Sequence, residues 1–332
     1  MDESRLSEIE AIEVIRGMLG SDAPGVEVGV GDDAAVFHFS TGGVILTVDG
    51  LYEGVHFSLD NFTLSDVGWK AMAVSVSDIA AMGGQPACAL LSVALAEPPT
   101  EEEICALIGG ALEMAGSCNC QIIGGDLCRS TSGLSLSVTV AGTRHPCGPV
   151  LRSCAQVGDI IGVTGTLGDS AGGLYVLQSG RDDLRLKFPG LVEKHLRPRP
   201  AVAAGDRLAS SGVSAMADVS DGLAADVVHI CRASGVGCEM VGEEVPLSGE
   251  LRVLAEESCT DPLQWALAGG EDYELIFTAP PGGFEAALAA LTSRDIPAAR
   301  IGTIKPVERG RKLIARDGSE IDLEGLGYDH FL

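Results

Sequence analysis

The chain has 332 residues, 46% hydrophobic but only 4% aromatic, and its 22 basic and 47 acidic residues give a formal net charge of −25. That aliphatic content excludes a disordered chain, and the acidic balance excludes a nucleic-acid binder, which needs a basic face to displace counterions. Apolar runs are short or broken by Gly and charge, so none has the length of a membrane span, and the acidic start MDESRLSEIE lacks the apolar core of a signal peptide, so a cytoplasmic protein is expected.

The length fits two domains. Residues 7–19 read as a helix, with Ser7 and Glu10 as a capping box and Ile9, Ile12, Ile15 and Leu19 at helical spacing. A Gly-rich acidic turn follows at Gly29-Val30-Gly31-Asp32-Asp33. The β-branched run Val44 to Val48 predicts a strand ending at Asp49. Residues 65–82 predict an Ala-rich helix stopped by Gly83-Gly84. Thr100 and Glu103 form a capping box that opens a helix to about Ala115. Gln121-Ile122-Ile123 is a short strand running into Gly124-Gly125-Asp126, and Leu134 to Val140 alternates as a half-buried strand. Pro and Gly cluster between 146 and 149, which sets the expected domains at 1–147 and 148–332.

The second half opens with a strand at Ile160 to Val163 and a helix near 169–179. A Pro-rich joint, Arg197-Pro198-Arg199-Pro200, precedes another helix. Ala217-Asp218-Val219-Ser220-Asp221-Gly222 then leads into a helix to about Ser234. Gly269-Gly270-Glu271-Asp272 leads into a strand at Tyr273 to Thr278. A helix near 283–293 and strands near 299–304 and 312–316 complete the pattern. Strands and helices mix irregularly in both halves, which predicts an α+β fold rather than a doubly wound sheet. There is no short-period repeat.

Ten cysteines are scattered with no CxxC pair, which argues against structural zinc and predicts reduced, mostly buried thiols. The 44 glycines, well above the usual ~7%, keep company with acids: Asp32, Asp33, Asp49, Asp126, Asp218, Asp221, Glu271 and Asp272 lie at predicted strand ends or Gly turns. Asp78 lies inside the Ala-rich helix, where a carboxylate is costly unless paired or metal-bound. Asp also favours turns and caps on its own account. Short carboxylates on turns nevertheless suit Mg²⁺, which takes hard oxygen ligands and bridges protein to phosphate. Gly29-Val30-Gly31-Asp32-Asp33-Ala34 fits G-x-G-x-x-A, but its two acids would repel a pyrophosphate. No GxxxxGK[ST] loop is present, so a nucleotide site must neutralise phosphate with metal ions. Gly168-Asp169-Ser170-Ala171-Gly172 matches the G-x-S-x-G elbow of hydrolases, with His195, His229 and His330 downstream. Four residues separate it from its strand, so a capped helix start is the plainer reading.

Taken in order, GVGDDAAVF (29–37), TVDGLYEGVHF (47–57), KAMAVSVSDIAAMGG (70–84), IIGGD (122–126), VTGTLGDSAGGL (163–174), ADVSDGL (217–223), AGGEDYEL (268–275) and GYDHF (327–331) resemble the thiamine-monophosphate kinase family. This family lies within the aminoimidazole ribonucleotide synthetase superfamily, and the resemblance spans nearly the whole chain. It implies ATP-dependent phosphorylation of thiamine monophosphate to thiamine diphosphate and a homodimer formed through the N-terminal domains. By motif position, Asp33, Thr47, Asp49, Asp78, Asp126 and Asp218 correspond to Mg²⁺ ligands, with Asp221 as a further metal contact. Val48, where many relatives carry Thr, offers only its backbone carbonyl. Gly125, Asp126, Arg152 and Ser220 correspond to the ATP contacts, and His56, Glu271 and Tyr328 to the substrate contacts. The resemblance gives catalytic roles to Asp49, Asp126 and Arg152. Other enzymes of the superfamily, of aminoimidazole ribonucleotide synthetase or selenophosphate synthetase type, are the nearest alternatives. A non-catalytic divalent-metal-binding protein is the alternative of a different class.

Overall fold

The structure is a computed structural model that describes residues 43–328 and, before them, residues 14, 15, 17, 18, 26–28 and 36–37. The chain divides into two compact units, one up to Ile79 with Gln85–Arg144, the other Ala80–Gly84 with the chain from His145 on. The expected division after residue 147 lies three residues beyond Arg144.

In the first unit, β1 (Val26–Val28) and β2 (Val36–Phe37) pair antiparallel. Then come β3 (Val44–Tyr52), α1 (Leu64–Ala81), β4 (Gln85–Leu95), α2 (Glu101–Ser117), β5 (Gln121–Arg129) and β6 (Ser135–Thr143). The last four strands form a sheet in the order β3-β6-β4-β5, with only β4 and β5 parallel. The Thr100–Glu103 capping box forms as expected, its backbone and side-chain bonds both made. Contrary to the expected stop at Asp49, β3 runs on to Tyr52. Its alternation buries Ile45 and Leu51 on one face and leaves Val44, Leu46, Val48 and Tyr52 exposed on the other. Thr47 and Asp49 therefore share the covered face. On that face Ser75 of α1 donates to the Val138 carbonyl of β6 (3.2 Å). The apolar run of β4 is a strand the sequence reading did not assign.

The second unit contains β7 (Ile160–Thr164), α3 (Asp169–Gln178), α4 (Asp182–Lys187), α5 (Pro189–Leu196), α6 (Val202–Ser211), β8 (Ala215–Asp218), α7 (Leu223–Ser234), β9 (Gly237–Val241), α8 (Gly249–Ser258), α9 (Pro262–Ala268), β10 (Leu275–Ala279), α10 (Pro281–Thr292), β11 (Ala298–Lys305), β12 (Arg311–Ile314) and β13 (Glu320–Asp322). Its seven-stranded sheet runs β13-β12-β9-β11-β7-β10-β8, antiparallel except for β9 and β12. Every residue of β7 and β10 is buried, because helices cover both faces. Ile161, Val163 and Ile276 pack with Val227 and Ile230 of α7, while Ile160, Leu275 and Phe277 pack with Leu208 of α6 and Phe284 of α10. The mixed, mainly antiparallel sheets make this an α+β protein of two units. No helix among the described residues is long and apolar enough to cross a membrane. All ten cysteines are free thiols, but only Cys88, Cys120, Cys231 and Cys238 are buried, fewer than the composition suggested.

Candidate active site

In the first unit the covered face of β3 meets α1 at three expected residues. Thr47 Oγ1 donates to Asp78 Oδ2, and Asp49 sits close enough to Asp78 to feel its charge. Burial, reinforced by Asp78, pushes the Asp49 carboxyl up to about 6 from 3.8. Asp49 Oδ2 is buried and has no hydrogen-bond partner. A buried carboxylate oxygen without a donor, beside a second carboxylate, is a donor set that suits a hard cation. Val48 turns its side chain to the exposed face, so only its backbone is available on the other. Asp126 is exposed on β5, level with Ser92 of β4. Its neighbour Gly125 is fixed as glycine, since a Cβ there would stand 1.8 Å from the Leu91 carbonyl oxygen. His56 sits in the turn after β3, its Nδ1 accepting the Tyr52 N–H (3.1 Å). The fully buried Lys70 donates to the His56 carbonyl (3.3 Å).

In the second unit backbone bonds gather four expected residues. Glu271 N–H donates to the Ser220 carbonyl (2.8 Å), and Tyr328 N–H donates to the Asp221 carbonyl (2.9 Å). The Ser220–Asp221 turn is held from below by Asp226, whose Oδ2 accepts both backbone N–H groups, at 3.0 and 3.1 Å. Asp218, the last residue of β8, is buried just before that turn. His229 Nδ1 lies 3.7 Å from Asp226 Oδ1, and this partner raises the imidazole pKa above its ordinary value. Asp221, Asp226 and His229 each bring one ligand-capable atom within 4.8 Å of the others. Arg152, exposed on a short 3-10 turn, is near enough to His229 to oppose its protonation. Asp33 lies outside the described residues, as does much of the expected helix at 7–19 and the end of GYDHF.

The strand expected at Tyr273 begins instead at Leu275. Glu271 (φ +59°) and Tyr273 (φ +52°) are left-handed, a conformation that strands exclude. Between them Asp272 is buried, and its carboxylate accepts Gly168 N–H (2.7 Å) and Ser170 N–H (3.3 Å) at the start of α3. Burial pushes its pKa up to about 8 against the lowering effect of those bonds. The G-x-S-x-G segment makes no hydrolase relay. Ser170 is buried, and its Oγ meets His195 Nδ1 (3.1 Å), the same nitrogen that faces Glu271 Oε2 (3.4 Å). A triad needs the two ring nitrogens to serve different partners. Lys70 and Asp226 are the side chains around the expected residues that sequence reasoning missed, and His195 and His229 entered it only as histidines downstream of the G-x-S-x-G segment. For Asp226 the available signal was its i, i+3 spacing to His229 on a predicted helix.

The chain matches the AIR synthase related protein N-terminal domain over residues 31–144 and the corresponding C-terminal domain over 156–313. Fold and site thus define a two-domain protein of the AIR synthase-related class. It is 36% identical over 309 residues to the thiamine-monophosphate kinase of Bacillus subtilis, covering 92% of this chain and 94% of the relative. It superimposes on the crystal structure of thiamine-monophosphate kinase from Stenotrophomonas maltophilia with TM-score 0.81 and 36% identity, over 96% of this chain and 99% of the other. AaThiL complexed with AMPPCP and TMP aligns over 100% of both chains, with TM-score 0.78 and 32% identity. The chain belongs to the thiamine-monophosphate kinase family.

Proposed function

We propose that this chain transfers the terminal phosphoryl group of ATP to the phosphate of thiamine monophosphate, giving thiamine diphosphate and ADP, the last step of thiamine diphosphate synthesis. The full-length likeness to the AaThiL complex with AMPPCP, an ATP analogue, and TMP carries this reading. The acceptor is already a phosphate, so its oxygen is nucleophilic at neutral pH and no base is needed to deprotonate it. Catalysis reduces to positioning and charge stabilisation of an in-line transfer.

The residues suit those tasks. Asp49, Asp78 and Thr47 would hold Mg²⁺, with the Val48 carbonyl, Asp33, Asp126, Asp218 and Asp221 as further ligands. The orphaned Asp49 Oδ2 supports that assignment. Several such ions, when bound, would neutralise phosphate charge and align the reacting groups. Gly125, Asp126, Arg152 and Ser220 would contact ATP, and Arg152 can fork onto phosphate oxygens. His56, Glu271 and Tyr328 would contact thiamine monophosphate. Glu271 offers charge to the cationic thiamine and Tyr328, half-exposed, offers a ring face. Asp49, Asp126 and Arg152 carry the catalytic roles.

The apolar face of β3 supports a homodimer, and ten free thiols suit a reducing, cytoplasmic setting. The selenophosphate synthetase alternative would need a reactive Cys or selenocysteine and a Lys in an N-terminal Gly-rich segment, and residues 1–40 contain neither Cys nor Lys. Purified protein with ATP, Mg²⁺ and thiamine monophosphate should yield thiamine diphosphate and ADP. Turnover of an aminoimidazole precursor or of selenide instead would move the chain to another branch of the superfamily. Mg²⁺ binding with no turnover of any of these would make it a metal-binding protein.

A further inference from the structure

Behind Glu271 stands a histidine left without a role once the hydrolase relay is set aside, and the proposed chemistry gives it none. His195, in the last turn of α5, is only 3% exposed. Its place is set by close packing of α5 on α3, where a Cβ on Gly173 would come within 2.1 Å of the Leu191 carbonyl oxygen and 3.0 Å of His195 Cβ. His195 Nδ1 faces two oxygens, Ser170 Oγ at 3.1 Å and Glu271 Oε2 at 3.4 Å. Ser170 is buried as well, and its own backbone N–H is bonded to Asp272, the residue after Glu271. The Glu271 carboxylate is about a quarter exposed, so the imidazole lies on its protein side and solvent on the other.

The backbone around Glu271 is already fixed. Its N–H is bonded to Ser220, its φ is left-handed, and Asp272 is tied to the start of α3. Main-chain anchoring of this kind leaves the glutamate side chain with rotatable bonds of its own. A carboxylate that must meet a cationic ligand gains from being held before the ligand arrives.

We propose that His195, with its proton on Nδ1 and seated against Ser170, is a positioning residue that orients the Glu271 carboxylate toward the cationic part of the substrate, and so sets affinity for thiamine monophosphate rather than the rate of phosphoryl transfer. This rests on the reading of Glu271 as a thiamine monophosphate contact. The Nδ1–H is shared between Ser170 Oγ, which seats the ring, and the Glu271 carboxylate, which meets the ligand. The G-x-S-x-G segment thereby finds a use: its serine is a brace for a histidine and not a nucleophile.

Steady-state kinetics on the intact enzyme test this with four variants: His195→Leu, which removes the ring nitrogens, His195→Asn, whose amide can replace Nδ1–H, Glu271→Gln, and the His195→Leu/Glu271→Gln pair. His195→Leu should raise KM for thiamine monophosphate about tenfold, the scale of a lost hydrogen bond to a charged group. Its kcat and its KM for ATP should stay within about twofold, and His195→Asn should recover most of the lost affinity. On the Glu271→Gln background, His195→Leu should add less than about twofold, because the group it orients has lost its charge. An unchanged KM in His195→Leu overturns the proposal. So does a full tenfold loss on the Glu271→Gln background, or an equal fall in kcat and in both affinities in the Asn variant, which marks a packing role. The wild-type control separates the two readings: an enzyme that turns over thiamine monophosphate while the variants match it overturns only the role of His195, whereas a wild type without turnover overturns the proposed function and this role with it.

Discussion

Asp49 carries two opposed consequences. Burial and the charge of Asp78 hold its carboxyl at about 6 against 3.8 for an unfolded chain. Between those values the folded protein binds the proton more tightly than the unfolded one, so stability falls as pH rises from about 4 to about 6 and stays lowered above that. In chelator-treated protein this group alone should cost on the order of 3 kcal/mol by neutral pH. Asp49→Asn should remove that slope and raise the neutral-pH melting temperature. Added Mg²⁺ should then stabilise the wild type more than the variant. The same substitution should lower kcat at least ~10²-fold, as for loss of one electrostatic stabiliser. Parallel melting curves of wild type and variant across this pH range, or a near-normal kcat at saturating Mg²⁺, would refute the role given to Asp49. The motif drew attention to Asp49, but ending the strand there hid its setting. Continuing the strand to Tyr52 adds buried Leu51 to the face that Ile45, Thr47 and Asp49 share, and so shows that face to be the covered one. His195 stood out only as a histidine downstream of G-x-S-x-G, and its actual setting was hidden because its partners Ser170 and Glu271 come from distant parts of the chain.

At the scale of elements, two glycines hold α1 and α2 at backbone contact. A Cβ on Gly68 would lie 1.9 Å from the Leu107 carbonyl oxygen, and one on Gly110 would lie 1.9 Å from the Ser65 carbonyl oxygen. Neither obstacle is a flexible side chain, so the helices must separate to admit a methyl group. Gly110→Ala should therefore destabilise the protein by about 1–3 kcal/mol, the usual cost of overpacking. Gly109→Ala, one residue away with nothing within 4 Å of the added carbon, should instead stabilise it by about 0.4–1 kcal/mol through reduced freedom of the unfolded chain. Chemical denaturation of the two variants checks both signs, and equal effects would mean that the helices do not meet as described. Sequence identified α2 through its capping box and β7 through its β-branched run, since both signals are local. It missed β4, in which Pro86 and the apolar run after it give no alternation: both faces of Cys88-Ala89 are covered, and a bulge interrupts the register near Pro86. It also placed the start of β10 too early, because left-handed Glu271 and Tyr273 are imposed by bonds to Ser220 and Val219 from another part of the chain.

For the molecule as a whole, charge and surface pull in different directions. Each copy carries a net charge of −25, which resists association. Yet β3 presents Val44, Leu46, Val48 and Tyr52 to solvent on one face, Leu46 at 69% exposure, and Leu90 of β4 adds to the same apolar surface. Their partners across β6, Thr143, Ala141, Thr139 and Ser135, carry no charge either. An apolar stretch of this kind, with its one acid Asp126 on the far strand β5, marks an interaction surface, and a second copy would cover it with its own β3. Burial of the apolar face then favours the dimer, while the like charges outside it oppose the dimer and are screened by salt beyond a Debye length of about 10 Å at 0.1 M. The proposed homodimer should accordingly tighten as ionic strength rises, the reverse of an interface built on ion pairs. Leu46→Glu places a charge at the centre of the face and should convert the protein to a species of half the mass in light scattering, with the fold retained by circular dichroism. A dimer that loosens with salt would locate the interface among charged residues instead, and a Leu46→Glu protein of unchanged mass would remove β3 from it.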